Sequence, residues 1–160
     1  MIPKIEDFKN DASIPNLRQV ANVSEPLIDS VYKSLVDLAE VYEYQYLRDF
    51  YNDETLAQTV INLSTTRETL TEEQETLLNY FRTPIAYYLA FHYSRQQATR
   101  NAGIGGVHLN AENGTRSNSI ELQKRIWNYM VERTKVIYSA IIDDEYPATD
   151  IFVKINHLNI

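Results

Sequence analysis

Residues 103–116 read GIGGVHLNAENGTR and hold every glycine of the chain, at Gly103, Gly105, Gly106 and Gly114. Glycine reaches positive φ at little cost and disfavours a helix interior by about 1 kcal/mol relative to alanine. The long glycine-free sequence before this cluster therefore predicts a mainly helical chain. The cluster itself marks the place where the backbone leaves the helical conformation.

The same stretch has the pattern of a β-hairpin. Val107 and Leu109 alternate with polar residues, and Asn113-Gly114 is a strong tight-turn dipeptide. We predict a β-hairpin finger at about 103–116 that projects from a helical body. Such a finger can carry a catalytic loop in an enzyme or a contact arm in an assembly.

Apolar residues at spacings of three and four predict two helices in the first half of the chain. Ser24 is the expected N-cap of the first, with Pro26 in its first turn, and the pattern continues to about Tyr51 as one helix or as two helices broken near Glu43. A shorter helix is expected from Asn52 or Asp53 through about 63. The polar, β-branched residues that follow predict a loop.

Two more helices flank the predicted finger. Thr71 and Gln74 fit a capping box at the start of the third helix. Pro84 lies inside that helix and, because it lacks an N–H, it is expected to kink the helix or to restart it with Thr83 as a new cap. The last helix is expected to begin at Ser117 or Ser119 and to end near 142.

The two ends of the chain are expected to lie outside the bundle. Residues 1–23 predict an extended or partly helical arm, residues 24–145 the bundle with its inserted finger at 103–116, and residues 146–160 a tail. In the tail, Ile151, Val153 and Ile155 alternate with Phe152 and two polar residues, which is a strand pattern. An isolated strand cannot satisfy its own backbone, so the tail must pair either with the finger or with another chain. We expect residues 150–157 to be mobile in the isolated subunit and to become ordered by adding a strand to a neighbouring protein.

Composition narrows the functional classes. A chain of 160 residues fits one domain. It contains no cysteine, which excludes disulfide scaffolds and thiolate metal sites. The sequence contains neither a membrane-spanning apolar segment nor a signal-peptide core, which predicts a soluble protein made in a cytoplasm. The net charge of −7 argues against nonspecific DNA binding. The 12 tyrosines favour surfaces that become buried when partners meet.

A search for catalytic or metal-binding residues finds no convincing set. His92, His108 and His157 lack the spacing of metal ligands. The carboxylates of residues 143–145 could bind a divalent cation, although a solvated helix end explains them better. The glycine cluster lacks the residues of a phosphate loop and does not follow a strand. The sequence therefore predicts no enzyme, no cofactor and no metal.

Three stretches resemble the small helical head–tail adaptor, or ring, proteins of tailed bacteriophages, above all those of crAss-like phages. They are Ala39-Glu40 leading into YLRDFY at 46–51, the helix PIAYYLAFHY at 84–93, and the abrupt exit at Ala102-Gly103-Ile104 before a final helix. The resemblance covers about 27–142. It implies a structural virion protein at the head–tail interface, a ring of typically twelve subunits between the portal protein and the tail or further ring proteins.

This reading makes the chain a connector subunit that lets the genome pass without binding it, since carboxylates repel phosphates. The expected contact residues lie in the finger and the tail; they are Gly103, Gly105, Gly106, Val107, Leu109, Asn113, Gly114, Ile151, Phe152, Val153 and Ile155. The main alternative is a small helical binding or regulatory protein, a dimer. A third is a hydrolase that uses the carboxylates of residues 143–145 with a metal.

Overall fold

The computed structural model describes residues 1–15, 17, 26–66, 70–103, 115–142 and 152–155. Within the helices, residues 26–29, 98–103 and 115–119 are described by their backbone alone. The described part contains four α-helices, which are α1 (Pro26–Tyr51), α2 (Glu54–Thr65), α3 (Glu72–Gly103) and α4 (Thr115–Ile142). The prediction of a mainly helical protein is confirmed, and the described ranges contain no strand.

Side-chain caps place the beginnings of α2 and α3 where the sequence predicts them. Asp53 is the N-cap of α2, and its Oδ1 accepts hydrogen bonds from the backbone N–H groups of Thr55 at 2.7 Å and Leu56 at 3.0 Å. At the start of α3, the backbone N–H of Thr71 donates to Gln74 Oε1 at 3.0 Å, and the Gln74 N–H donates to Thr71 Oγ1 at 3.3 Å. Both ends therefore satisfy backbone donors that a helix leaves without partners.

Two of the long helices are continuous where the sequence allowed a break. α1 continues through Glu43, and α3 continues through Pro84, so the predicted restart at Thr83 is wrong. Proline removes one hydrogen bond, which here leaves the carbonyl of Tyr80 without its donor four residues on. Packing of α3 against both α1 and α4 holds the helix together across this gap.

The core lies where α3 packs between α1 and α4, and α2 covers α1. The predicted N-terminal arm belongs to this core over residues 1–15. It forms two short 3-10 helices, Ile5–Asp7 and Asn10–Ala12, which contact α3, and the second also contacts α4. Ile2, Phe8, Ala12 and Ile14 are buried, and the Arg125 guanidinium on α4 donates two hydrogen bonds to the carboxylate of Asp11.

A buried carboxylate on α1 holds the first residues of the chain in place. Glu43 is only 4 % exposed, and its Oε1 accepts a hydrogen bond from the backbone N–H of Ile2 at 2.7 Å. Its other oxygen lies 4.0 Å from the amino group of Met1. A buried charge is tolerated when it has an ionic or hydrogen-bonding partner of this kind.

The described helices were compared with the length and hydropathy of a membrane-spanning helix. None of them combines the length and the apolar character that crossing a bilayer requires.

Candidate functional site

The tail segment, residues 152–155, packs against its own chain. Phe152 is 2 % exposed, and the centre of its ring lies 5.1 Å from that of Tyr46 on α1, 6.2 Å from that of Tyr88 on α3 and 6.5 Å from that of Trp127 on α4. Aromatic pairs at such separations contribute beyond the area that they bury. Phe152 is thus a core residue, although it lies in a part of the chain that the sequence predicts to be outside the bundle.

Side chains of α4 bind the backbone of the tail segment. The indole Nε1–H of Trp127 donates to the carbonyl of Val153 at 2.7 Å. Asn128 donates through Nδ2 to the carbonyl of Ile155 at 3.1 Å and accepts from the Ile155 N–H through Oδ1 at 2.8 Å. One amide side chain therefore satisfies both backbone groups of Ile155, as a neighbouring strand would. The tail segment has no strand assignment at residues 152–155, which corrects the prediction of a strand for these four residues.

A salt bridge completes the site, which we call the cradle: Tyr46, Tyr88, Trp127, Asn128 and Glu132. The Lys154 ammonium group donates to the Glu132 carboxylate, and this contact lowers the pKa of Glu132. Both side chains are partly exposed, so the pair contributes little to stability. Its contribution is to the register of the bound segment, since it fixes which residue lies opposite Glu132.

A cavity of about 390 Å³ lies beside the cradle and is bordered by His92, Arg95, Asp49 and the tail residues Phe152 and Ile155, among others. The imidazole of His92 stacks on Tyr42 with ring centres 3.8 Å apart and meets Tyr88 edge-on at 4.6 Å. Burial, with a smaller effect of the nearby Arg95 charge, lowers the pKa of His92 to about 4. His92 is therefore neutral at pH 7, and its buried Nε2 has no hydrogen-bond partner among the described residues.

The charged groups around the cavity have structural roles. The Arg48 guanidinium donates two hydrogen bonds to Asp49 Oδ1, at 2.9 and 3.1 Å, and the Arg95 guanidinium lies over the Phe91 ring at 5.6 Å from its centre. Burial raises the pKa of Tyr88, so its hydroxyl stays protonated at neutral pH. The described residues include no cluster of histidines and carboxylates that could hold a metal ion. The described contacts of this site pack the tail segment against the bundle.

Large apolar side chains are exposed on two separate parts of the bundle. The first set, on α1 and α2, consists of Tyr32, Val41 and Leu56. Because Tyr32 and Val41 are nine residues apart, they lie on opposite sides of α1, and we call the surface around Val41 the α1–α2 patch. The second set, the α3–α4 patch, consists of Tyr80 and Val136, which border one cavity; Ile142, near the end of α4, is also exposed. Val41 and Val136 are each 61 % exposed. Tyr80 and Val136 border one cavity, and exposed apolar groups that lie near one another in this way are a feature of interaction surfaces.

The α3–α4 patch is grooved. A cavity of about 400 Å³ runs between Tyr80 and Ile141 and is bordered by Glu72 and Glu73. A second cavity, of about 270 Å³, lies on the other side of Tyr80, between Pro84 and Val136, with Arg133 at its edge. Tyr80 therefore stands between two depressions, of which one is acidic and the other basic.

The predicted contact residues fall into two groups. Gly103 ends α3, so it is not part of a finger, and α4 already begins at Thr115; a glycine at the end of a helix is common because it tolerates the exit from helical geometry. Gly105, Gly106, Val107, Leu109, Asn113, Gly114 and Ile151 lie outside the described residues, as do most of the predicted finger and its pairing with the tail. Phe152, Val153 and Ile155 lie together in the cradle.

Sequence reasoning missed the residues that receive the tail segment. Nothing in the apolar periodicity of α4 distinguishes Asn128, because its role depends on the backbone groups of a distant segment. Trp127 offers a weak signal, since it is the single tryptophan of the sequence and a tryptophan in a packed surface usually finds an acceptor for its indole N–H.

Comparison with known proteins adds no relative. No protein-family model, no curated protein and no solved structure matches this chain. The resemblance to phage ring proteins therefore rests on the sequence patterns alone.

Proposed function

We propose that this protein is a structural subunit that assembles with copies of itself into a ring, and that this ring connects the portal to the tail of a tailed bacteriophage. The observation that carries the self-assembly is the exposure of large apolar side chains at Val41 on α1 and at Tyr80 and Val136 on α3 and α4. A ring needs a head-to-tail contact, in which one surface of a subunit meets a different surface of the next. The α3–α4 patch and the α1–α2 patch supply two such surfaces.

The chemistry of the chain supports passage of the genome through this ring. The net charge is −7, and nonspecific binding of DNA requires clustered lysine and arginine residues that neutralise phosphates. An acidic lumen repels phosphate, so DNA can pass without being held. The assignment to the portal vertex comes from the sequence resemblance, as does the number of about twelve subunits.

Two lysine substitutions test the assembly. Val136→Lys disrupts the α3–α4 patch and Val41→Lys disrupts the α1–α2 patch; both side chains are exposed, and lysine favours helix more than valine does. Each variant should fold and yet stay monomeric in native mass spectrometry, because a charge would be buried without a partner. The wild-type protein and the matched control Gln58→Lys, at an exposed position of α2 on the side away from Leu56, should form rings visible by negative-stain microscopy.

Mixing the two variants separates a ring from a dimer. The intact α1–α2 patch of Val136→Lys can bind the intact α3–α4 patch of Val41→Lys, so the mixture should yield heterodimers although each variant alone is monomeric. In a symmetric dimer built from the α3–α4 patch, Val41→Lys would remain a dimer and mixing would restore nothing. That outcome would favour the alternative of a dimeric binding protein. A wild-type chain that stays monomeric at all concentrations would refute self-assembly.

A further inference from the structure

The cavity of about 390 Å³ beside the cradle combines aromatic walls with polar groups at one side. Its aromatic walls include Tyr88, Phe91, Trp127 and Phe152. The ring centres of Phe91 and Trp127 lie 4.9 Å apart, and those of Tyr88 and Phe152 lie 6.2 Å apart. Small-molecule sites are typically cavities of about 300–1,000 Å³ with mainly apolar walls and a few polar groups that converge. This cavity therefore has the size and the walls of such a site.

Three side chains at this cavity carry oxygen atoms that accept no hydrogen bond within the described part of the chain. Both hydrogen bonds from Arg48 go to Oδ1 of Asp49, so Oδ2 has no donor, although the side chain is only 15 % exposed. Gln45 lies four residues earlier on the same face of α1, and its amide has no partner there either. Across the cavity, Tyr88 is 3 % exposed, and its hydroxyl makes no hydrogen bond to a described residue. Polar groups in such positions normally have partners, so their convergence indicates a site for a donor.

The charges around the cavity favour a positive group on the Asp49 side. Burial raises the pKa of Tyr88, and the nearby negative charge of Asp49 adds to this effect. A positive group bound there would relieve that repulsion. The guanidinium of Arg48 is partly exposed, so water screens it. Arg95 also borders the cavity, but it begins about 10.5 Å along α3 from Tyr88 and extends over Phe91.

We propose that this cavity binds a small primary amine with an aromatic body, the chemistry of an arylalkylamine. An ammonium group has three N–H donors. They match three acceptors, which are Oδ2 of Asp49, the hydroxyl oxygen of Tyr88 and the amide oxygen of Gln45. The aromatic body of the ligand packs among the aromatic walls, where it loses apolar surface to the protein instead of to water. All of these groups belong to one subunit, so the site does not depend on assembly.

The probe for this site is 2-phenylethylamine, added to the purified wild-type protein at pH 7. Trp127 borders the cavity and is the single tryptophan of the sequence, so its fluorescence reports occupancy. The fluorescence should change with saturation, and calorimetry should give the same Kd. The neutral 2-phenylethanol and the anionic 3-phenylpropionate should bind at least about tenfold more weakly, because neither makes a charge-assisted hydrogen bond to Asp49. No saturable change, or equal affinity for the three compounds, would overturn the proposal.

Two variants and a control locate the amine within the cavity. Asp49→Asn should weaken binding of 2-phenylethylamine at least about tenfold, and Tyr88→Phe, which keeps the aromatic ring, about fivefold. Glu40→Gln removes the same charge from an exposed position of α1 outside the cavity and should leave Kd unchanged. Thermal unfolding checks that each variant is folded. Asp49→Asn and Tyr88→Phe that bind as the wild type does, or a Glu40→Gln that loses as much affinity as Asp49→Asn, would refute the site.

Discussion

Because Phe152 is buried, truncating its side chain should destabilise the fold, whereas the sequence pattern placed this residue outside the bundle. Phe152→Ala removes a ring that packs against three aromatic residues of three helices, and such truncations cost about 3–5 kcal/mol. For a domain of this size, each kcal/mol lowers Tm by about 2–4 °C, so Tm should fall by about 6–20 °C. A tail that lay outside the bundle would leave Tm unchanged.

The measurements are thermal unfolding for Tm and guanidinium unfolding for the free energy of unfolding, both followed by far-UV circular dichroism at a protein concentration where the chain is monomeric. The matched control is Val153→Ala, one residue along, where the side chain is 52 % exposed. Its carbonyl still accepts the Trp127 hydrogen bond, so stability should change by no more than about 0.5 kcal/mol. If Phe152→Ala cost no more than Val153→Ala, the tail segment would not belong to the core, and the cradle would have to be abandoned.

Three further predictions concern other parts of the molecule. Glu43→Leu should lower the free energy of unfolding by about 3–5 kcal/mol, because it leaves the Ile2 N–H and the nearby amino group without their buried acceptor. Glu43→Gln can still accept a hydrogen bond and should cost less. Equal losses of stability for the two variants in urea unfolding would contradict this. The pKa of His92 is lowered to about 4 in the folded protein, whereas an unfolded histidine has a pKa of about 6.5. The unfolded state therefore takes up a proton first as the pH falls, so the free energy of unfolding should decrease by about 3 kcal/mol between pH 6.5 and pH 4 and should not change through this group above pH 6.5. His92→Phe keeps the aromatic stacking and should lack this decrease when unfolding midpoints are measured over a pH series. If the variant showed the same pH dependence as the wild type, His92 would not be its cause. Asp53→Ala should cost about 1 kcal/mol through the lost cap of α2, as measured by thermal unfolding, and an unchanged Tm would contradict that role.

The helices could be predicted from the sequence because their signals are local. The cap at Asp53, the capping box at Thr71 and the apolar periodicity each depend on residues a few positions apart. The continuity of α3 through Pro84 could not be predicted in this way. It depends on packing against α1 and α4, which outweighs the local loss of one hydrogen bond.

The roles of the two chain ends could not be predicted, because they depend on contacts between distant residues. The buried residues of the first segment lack helical periodicity, and Glu43 gives no sequence signal that it binds Ile2. The burial of several tyrosines could not be predicted from the sequence either. Their number favoured partner surfaces, yet Tyr46, Tyr87 and Tyr88 are buried in the core, and a tyrosine is equally suited to a core where its hydroxyl can find a partner, as Tyr46 does with Thr134.

The contact between Tyr46 and Phe152 also sets the timing of folding during synthesis. These residues lie more than a hundred positions apart in the chain. At about 5–20 residues per second, a ribosome needs several seconds or more to make the sequence between them. During that interval α1 and α3 can already pack, but the aromatic site between them stays open to water and to other nascent chains. Closure of this aromatic site therefore waits until translation has delivered Phe152.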